Sequence, residues 1–168
     1  MNTPLSRRAL LALLPLALAA PTRPVRAVAG GDAAPAFELE GPGGPVSLAA
    51  LKGRVVYLDF WASWCPPCRQ SFPWMDEQIL RHGAAGLVVV AVNLDRQRTA
   101  AEQFLRAVPS RATIAFDPAG DTPRRFGARA MPSSFVIGRD GRVRLQHDGF
   151  RDEDRAPLEA ALGQALRA

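Results

Sequence analysis

The chain has 168 residues, 48% of them apolar and 22% charged, and it contains only two cysteines. Such a composition is that of a globular protein, and the length suits one domain with core enough to fold without disulfide staples. The formal charge of +5 does not argue for a nucleic-acid or anionic-membrane partner: Arg7, Arg8, Arg23 and Arg26 lie in residues 1–29, which hold no acidic residue, so the rest of the chain carries +1.

At the N-terminus, Arg7 and Arg8 precede an apolar run over residues 9–20, broken by Pro15. A bilayer-spanning helix needs about 20 apolar residues, so the run is too short to span but suits a signal-peptide core. Ala27-Val28-Ala29 supplies a small-residue cleavage pattern with Gly30 as the new N-terminus. Residues 1–29 are therefore expected to be a signal peptide and residues 30–168 one exported, periplasmic-type domain. No cysteine follows the apolar run to take a lipid, so no membrane insertion is expected after cleavage. Ser6-Arg7-Arg8-Ala9-Leu10-Leu11 resembles a twin-arginine signal, with general secretory export the alternative.

Residues 36–40 alternate like a strand, residues 41–45 are rich in Gly and Pro, and Val46-Ser47 can return as a second strand. Ser47 is placed to cap a short helical turn over residues 48–51, which Gly53 ends. Residues 55–60 read as a buried strand, followed by a helix from about residue 66 to 81 or 82, stopped by Gly83. Pro66 and Pro67 are tolerated in a first turn, whereas Pro73 inside the helix should kink it. Residues 87–92 are a near-continuous apolar run, the pattern of a strand covered on both faces. Residues 99–108 form a crossover helix with Ala101, Phe104, Leu105 and Val108 on one side, and residues 112–116 a short strand. A helical turn or two over residues 122–126 comes next. Strands 134–137 and 142–146 then join through Gly138-Arg139-Asp140-Gly141, and a last helix from about residue 153 aligns Leu158, Leu162 and Leu166. This order predicts an α/β fold with a mixed central sheet and right-handed crossovers between its parallel strands.

The two cysteines stand as Cys65-Pro66-Pro67-Cys68, between the first long strand and its helix. A helix N-terminus stabilises a thiolate at the first cysteine, and the second lies one turn on, within reach of a disulfide. A zinc site would need a second Cys/His pair, yet His82 and His147 are isolated in sequence. A purely structural disulfide over so short a loop would restrict the unfolded chain little. Redox chemistry is the reading the spacing favours, with no metal and no cofactor required. With Cys65 at the cap, Pro66 and Pro67 offer no N–H to the thiolate. A thiol pKa of roughly 7 and a reducing potential on the order of −250 mV are expected.

These motifs resemble the thioredoxin superfamily, in its exported TlpA/ResA-like branch, over nearly all of the chain from Pro35 onward. The resemblance rests on three stretches. Ala34-Pro35-Ala36-Phe37-Glu38-Leu39 with Val46-Ser47-Leu48 is similar to the branch's N-terminal extension. Phe60-Trp61-Ala62-Ser63-Trp64-Cys65-Pro66-Pro67-Cys68-Arg69 matches its active-site signature. Met131-Pro132-Ser133-Ser134-Phe135-Val136-Ile137 resembles the segment that carries a cis-proline. It implies a thioredoxin-like fold with helices on both faces of the sheet and an N-terminal β-hairpin extension.

The implied activity is thiol–disulfide exchange on protein substrates, by a monomer recharged from a membrane thiol donor. Cys65 attacks and Cys68 resolves; Trp64, Pro66, Pro67, Met131 and Pro132 meet the substrate, the backbone of Met131 pairing with an extended client. Trp61 and Trp64 are expected to serve as packing and a partly exposed apolar collar, and Arg69 to be a solvated charge. Many members of the branch carry a proton-transferring glutamate where Ser71 stands. Here Asp59 occupies the position of thioredoxin's buried acid, with a pKa raised by desolvation, and it takes over as the base for Cys68, through a water. Ala130 stands where cytochrome c-maturation members often place a glycine, which weakens that specialised role. The runner-up is a copper-handling protein with Cys65 and Cys68 as Cu(I) ligands, distinguishable by copper content after purification under reductant.

Overall fold

Seven residues of unbroken burial, the strand Val55–Trp61, form the centre about which the rest is laid in this computed structural model. The structure describes residues 30–168; the expected signal peptide lies outside the described residues. In chain order the elements are β1 (Glu38–Leu39), β2 (Val46–Ser47), β3 (Val55–Trp61), α1 (Pro66–His82), β4 (Leu87–Asn93), α2 (Arg98–Ala107), β5 (Thr113–Phe116), α3 (Asp121–Phe126), β6 (Ser133–Ile137), β7 (Val143–Asp148) and α4 (Arg155–Arg167). Short 3-10 turns lie at Ala49–Leu51, Gly83–Ala85 and Asp152–Asp154.

The main sheet runs β5-β4-β3-β6-β7. β3, β4 and β5 are parallel, and β6 and β7 continue the sheet antiparallel. Because β3 is flanked on both sides and covered on both faces, its alternate side chains enter two separate cores. Val55, Tyr57 and Trp61 join Cys65, Cys68, Phe72, Phe104, Leu158 and Leu162 beneath α1, α2 and α4. Val56, Leu58 and Phe60 join Phe126 of α3 and Phe37 on the other face. Alternation therefore turns Asp59, between Tyr57 and Trp61, toward the face that holds both cysteines. Glu159 ties α1 to α4, accepting from Trp74 Nε1 and Gln78 Nε2 at 3.2 Å each.

The expected strand at residues 36–40 shrinks to Glu38–Leu39, paired with β2. Pro35, Pro42 and Pro45 around it offer no N–H to lengthen the ladder. Glu40 instead bridges Phe116 at the far edge of the sheet, and Ala33 bridges Arg142 near the opposite edge. The N-terminal segment thus straps across the second face, with Phe37, Leu39 and Val46 in its core. Ser47 behaves as expected, its Oγ accepting from the N–H of Ala50 at 3.3 Å. α1 runs unbroken through Pro73, whose ring is exposed. The last helix begins at Arg155 rather than 153, because residues Asp152–Asp154 wind as a 3-10 turn. In the β6–β7 hairpin Gly141, at φ 76°, takes the left-handed position that a β-carbon would disfavour.

Candidate active site

The elbow between β3 and α1 carries the two cysteines. Cys65 is the N-cap of α1 in an extended conformation, and its Sγ accepts the backbone N–H of Cys68 at 3.2 Å. The two are joined as a disulfide, with their Cα atoms 5.3 Å apart. Pro66 and Pro67 fill the first two helical positions, so no N–H earlier than that of Cys68 reaches the sulfur. Cys65 keeps 3% exposure and Cys68 none, so what access the pair has is at Cys65.

Packing below and a hydrogen-bonded clamp beside it hold the elbow in place. Trp61 is fully buried between Phe72 and Phe104, with ring centroids 4.9 and 4.8 Å away. Aromatic pairs of this kind contribute about 0.5–1.5 kcal/mol each beyond their area. The β3–β4 ladder ends with Leu94 N–H donating to the carbonyl of Trp61 at 2.9 Å. Asp95 carries it one step further through its side chain: Oδ2 accepts from the N–H of Ser63 at 2.9 Å and Oδ1 from Ser63 Oγ at 3.0 Å. Asn93 Nδ2 donates to the same carboxylate at 2.7 Å.

In the loop before β6, Met131 packs against the core that holds both cysteines, and the Met131–Pro132 peptide bond is cis. Ser133 anchors this loop, its Oγ lying 2.8 Å from the carbonyl of Ala130 and 2.6 Å from Asp148 Oδ1. Gly149 N–H donates to the Pro132 carbonyl at 2.7 Å. Asp59 is fully buried, with Oδ1 accepting from Ser134 Oγ at 2.7 Å and Oδ2 without a partner among the described residues. Burial pushes its carboxyl up to about 7, and the Ser134 hydroxyl offsets only part of that. Burial likewise raises the Tyr57 phenol well above its ordinary value, with the Asp59 charge adding to it.

The residues singled out in the sequence thus fall in three groups: Cys65, Pro66, Pro67 and Cys68 at the elbow, Met131 and Pro132 in the loop before β6, and Asp59 in the core. The paired tryptophans separate. Trp64 is 69% exposed, so it is not core packing, whereas Trp61 is wholly interior and forms no part of a collar. Arg69 is exposed as expected, but its guanidinium sits 4.8 Å over the Phe104 ring. Ser71 is buried and donates to the Cys68 carbonyl at 3.0 Å. His147 is isolated only in sequence: Nε2 lies 3.3 Å from Asp154 Oδ2. Sequence reasoning missed Asp95, Ser133, Ser134 and His147. The signal available for Asp95 was Asn93-Leu94-Asp95 directly after an apolar strand, a polar cluster where a parallel sheet presents its carboxyl end. Among the described residues no three or more His, Cys, Asp or Glu side chains converge as metal ligands would.

The redoxin family model matches residues 29–162. The thiol-disulfide oxidoreductase ResA of Bacillus thuringiensis subsp. konkukian (strain 97-27) is 32% identical over 128 residues, covering 74% of this chain and 73% of that protein. Among solved structures, a Chlorobium tepidum protein assigned as a thiol:disulfide interchange protein DsbE is 53% identical. It superposes with a TM-score of 0.82 over 83% of this chain and 99% of its own. A Bacteroides thetaiotaomicron protein assigned as a protein disulfide isomerase is 25% identical, with a TM-score of 0.76 over 84% and 92% of the two chains.

Proposed function

The chain belongs to the redoxin family, in the TlpA/ResA-like branch of the thioredoxin superfamily, and from that premise we propose that it reduces protein disulfides in an exported compartment. It is a thiol–disulfide oxidoreductase, and Cys65–Cys68 is its redox-active pair. The direction of electron flow, the roles of the two cysteines and the proton path are this reading's own. The observation that carries it is the placement of Cys65 Sγ at the cap of α1, accepting the Cys68 N–H, with no cation or imidazole between the cysteines.

In this reading the Cys65 thiolate attacks one sulfur of a client disulfide. The client S–S bond breaks, one client sulfur leaves as a thiolate, and Cys65 is held to the other in a mixed disulfide. Cys68 then gives its proton to the Asp59 carboxylate and attacks Cys65 Sγ. The second client sulfur leaves, the client has gained two electrons, and Cys65–Cys68 is oxidised. A carboxyl at about 7 is near the value at which one group both takes and releases a proton at neutral pH. Ser71 donates to a backbone carbonyl and carries no base. Trp64 and the Met131–Pro132 loop flank the approach to Cys65, and a membrane thiol donor returns the two electrons to the monomer.

Trapping tests this directly. Cys68→Ala should accumulate mixed disulfides through Cys65 with exported proteins, released by reductant, whereas Cys65→Ala should trap none. Trapping by Cys65→Ala alone would reverse the assigned roles, and equal trapping by both variants would abolish the distinction between them. Export is tested separately, since Arg7→Lys with Arg8→Lys should keep the protein out of the exported fraction if the twin-arginine route is used. No helix among the described residues is long and apolar enough to cross a membrane.

A further inference from the structure

A base buried as completely as Asp59 must lose its proton again after each turnover, and the sheet supplies a row of polar side chains leading away from it. Asp59 on β3 stands directly opposite Ser134 on β6, and Ser134 directly opposite His147 on the edge strand β7. Directly opposed residues share a face of the sheet, with Cβ atoms about 4.5–5.5 Å apart. The first link is made, Ser134 Oγ donating to Asp59 Oδ1 at 2.7 Å. Beyond the row, His147 Nε2 meets Asp154 Oδ2 at 3.3 Å, an ion-pair contact off the line of a hydrogen bond. The side chains of His147 and Asp154 are 25% and 21% exposed, so the row runs from the dry core to the rim.

We infer that Asp59, Ser134 and His147 form a proton path across the sheet, by which the proton taken from Cys68 leaves for solvent on the side of the molecule where α4 begins. The inference rests on the proposed role of Asp59 as the base for Cys68. The transfer balances without any other reactant. Protonated on Oδ1, Asp59 becomes the donor and Ser134 Oγ the acceptor. The serine hydroxyl turns its own hydrogen toward His147, and the imidazole takes it and releases its proton at the rim. Asp59 is again a carboxylate, and the hydroxyl swings back. A hydroxyl can serve because it donates and accepts at once, and an imidazole because it changes protonation near neutrality. Two other titratable groups face this row. Tyr57, on β3, is a buried neutral phenol beside Ser134 that lends no charge, and Asp154, preceding α4, sets its carboxylate against His147 Nε2. Asp154 is itself held by the N–H of Arg151 at 2.8 Å.

The test compares multiple-turnover reduction of insulin disulfides, with dithiothreitol returning the electrons, by the wild-type protein and by Asp59→Asn, His147→Gln, Ser134→Ala and the Asp59→Asn/His147→Gln pair, from pH 6 to 8 in low and high buffer. If the path operates, His147→Gln and Ser134→Ala each slow the Asp59-dependent turnover about 10-fold in dilute buffer. Added imidazole should restore the His147→Gln rate, and His147→Gln should cost nothing further once Asp59 is asparagine. A loss through altered packing alone would be insensitive to buffer and imidazole. A His147→Gln rate equal to wild type in dilute buffer, or losses that multiply in the double variant, would overturn the path while leaving Asp59 as the base. A wild-type rate for Asp59→Asn would remove the base itself, and the path with it.

Discussion

Replacing Asp59 by asparagine removes a charge that the fold holds at a cost, and the size of that cost follows from its surroundings. The carboxyl titrates at about 7 in the oxidised protein against an ordinary 3.8, and burial is the first cause. In the unfolded chain the proton is lost near the ordinary value. Between about pH 4 and 7 the folded protein therefore binds a proton that the unfolded chain has released, so stability falls as pH rises through this window and levels off above it. At 1.36 kcal/mol per pH unit the full difference is roughly 4 kcal/mol. Asparagine has no such titration. The stability of Asp59→Asn relative to wild type should thus improve by about 4 kcal/mol on going from pH 4 to pH 8. Comparing the two pH values cancels the fixed cost or gain of packing an amide beside Ser134. Urea unfolding of both oxidised proteins at half-unit steps from pH 4 to 8, with slopes checked for constancy, measures it. A relative stability that changed by less than about 1 kcal/mol over that range would show that Asp59 is not a desolvated acid.

Three further outcomes follow from the site. Titration against glutathione should give a potential on the order of −250 mV, because two prolines deny the Cys65 thiolate its first N–H donors; a value above about −160 mV would refute that argument. Asp95→Ala leaves the Ser63 N–H and hydroxyl without their acceptor, so it should lower stability by about 1–3 kcal/mol by calorimetry and widen the range of Cys65 alkylation rates. Trp64→Ala should raise KM for a protein disulfide several-fold while leaving reduction of oxidised glutathione unchanged. Its effect on stability should stay within about 0.5 kcal/mol, since the ring is mostly in solvent.

Local signals carried far in this chain. The helix Pro66–His82 starts where two prolines and Cys65 say it should, because capping and proline chemistry act within a single turn; it gives way at Gly83, still right-handed, to a 3-10 turn that the left-handed Gly86 closes. The apolar run at residues 87–92 became a strand for the same kind of reason, there being no polar side chain to face solvent. The short N-terminal strand was overestimated where ladder length depended on prolines in its neighbours and on a distant edge that captured Glu40. His147 looked isolated because its neighbours in sequence, Gln146 and Asp148, turn to the opposite face of the sheet.

What the sequence by itself determined is the chemistry: one cysteine pair at a strand-to-helix elbow, an acid six residues before it, and a proline loop able to face it. Each of these is a short-range pattern, legible within a few residues of its own stretch, although the proline loop lies 64 positions after Cys68. What only the tertiary structure decided is the company each group keeps. Asp95 reaches Ser63 across 32 positions, Ser134 reaches Asp59 across 75, and Trp61 and Trp64, three residues apart, end in core and solvent. Register between strands made those partners, and register is set by the burial of whole faces at once, which no local stretch of sequence contains.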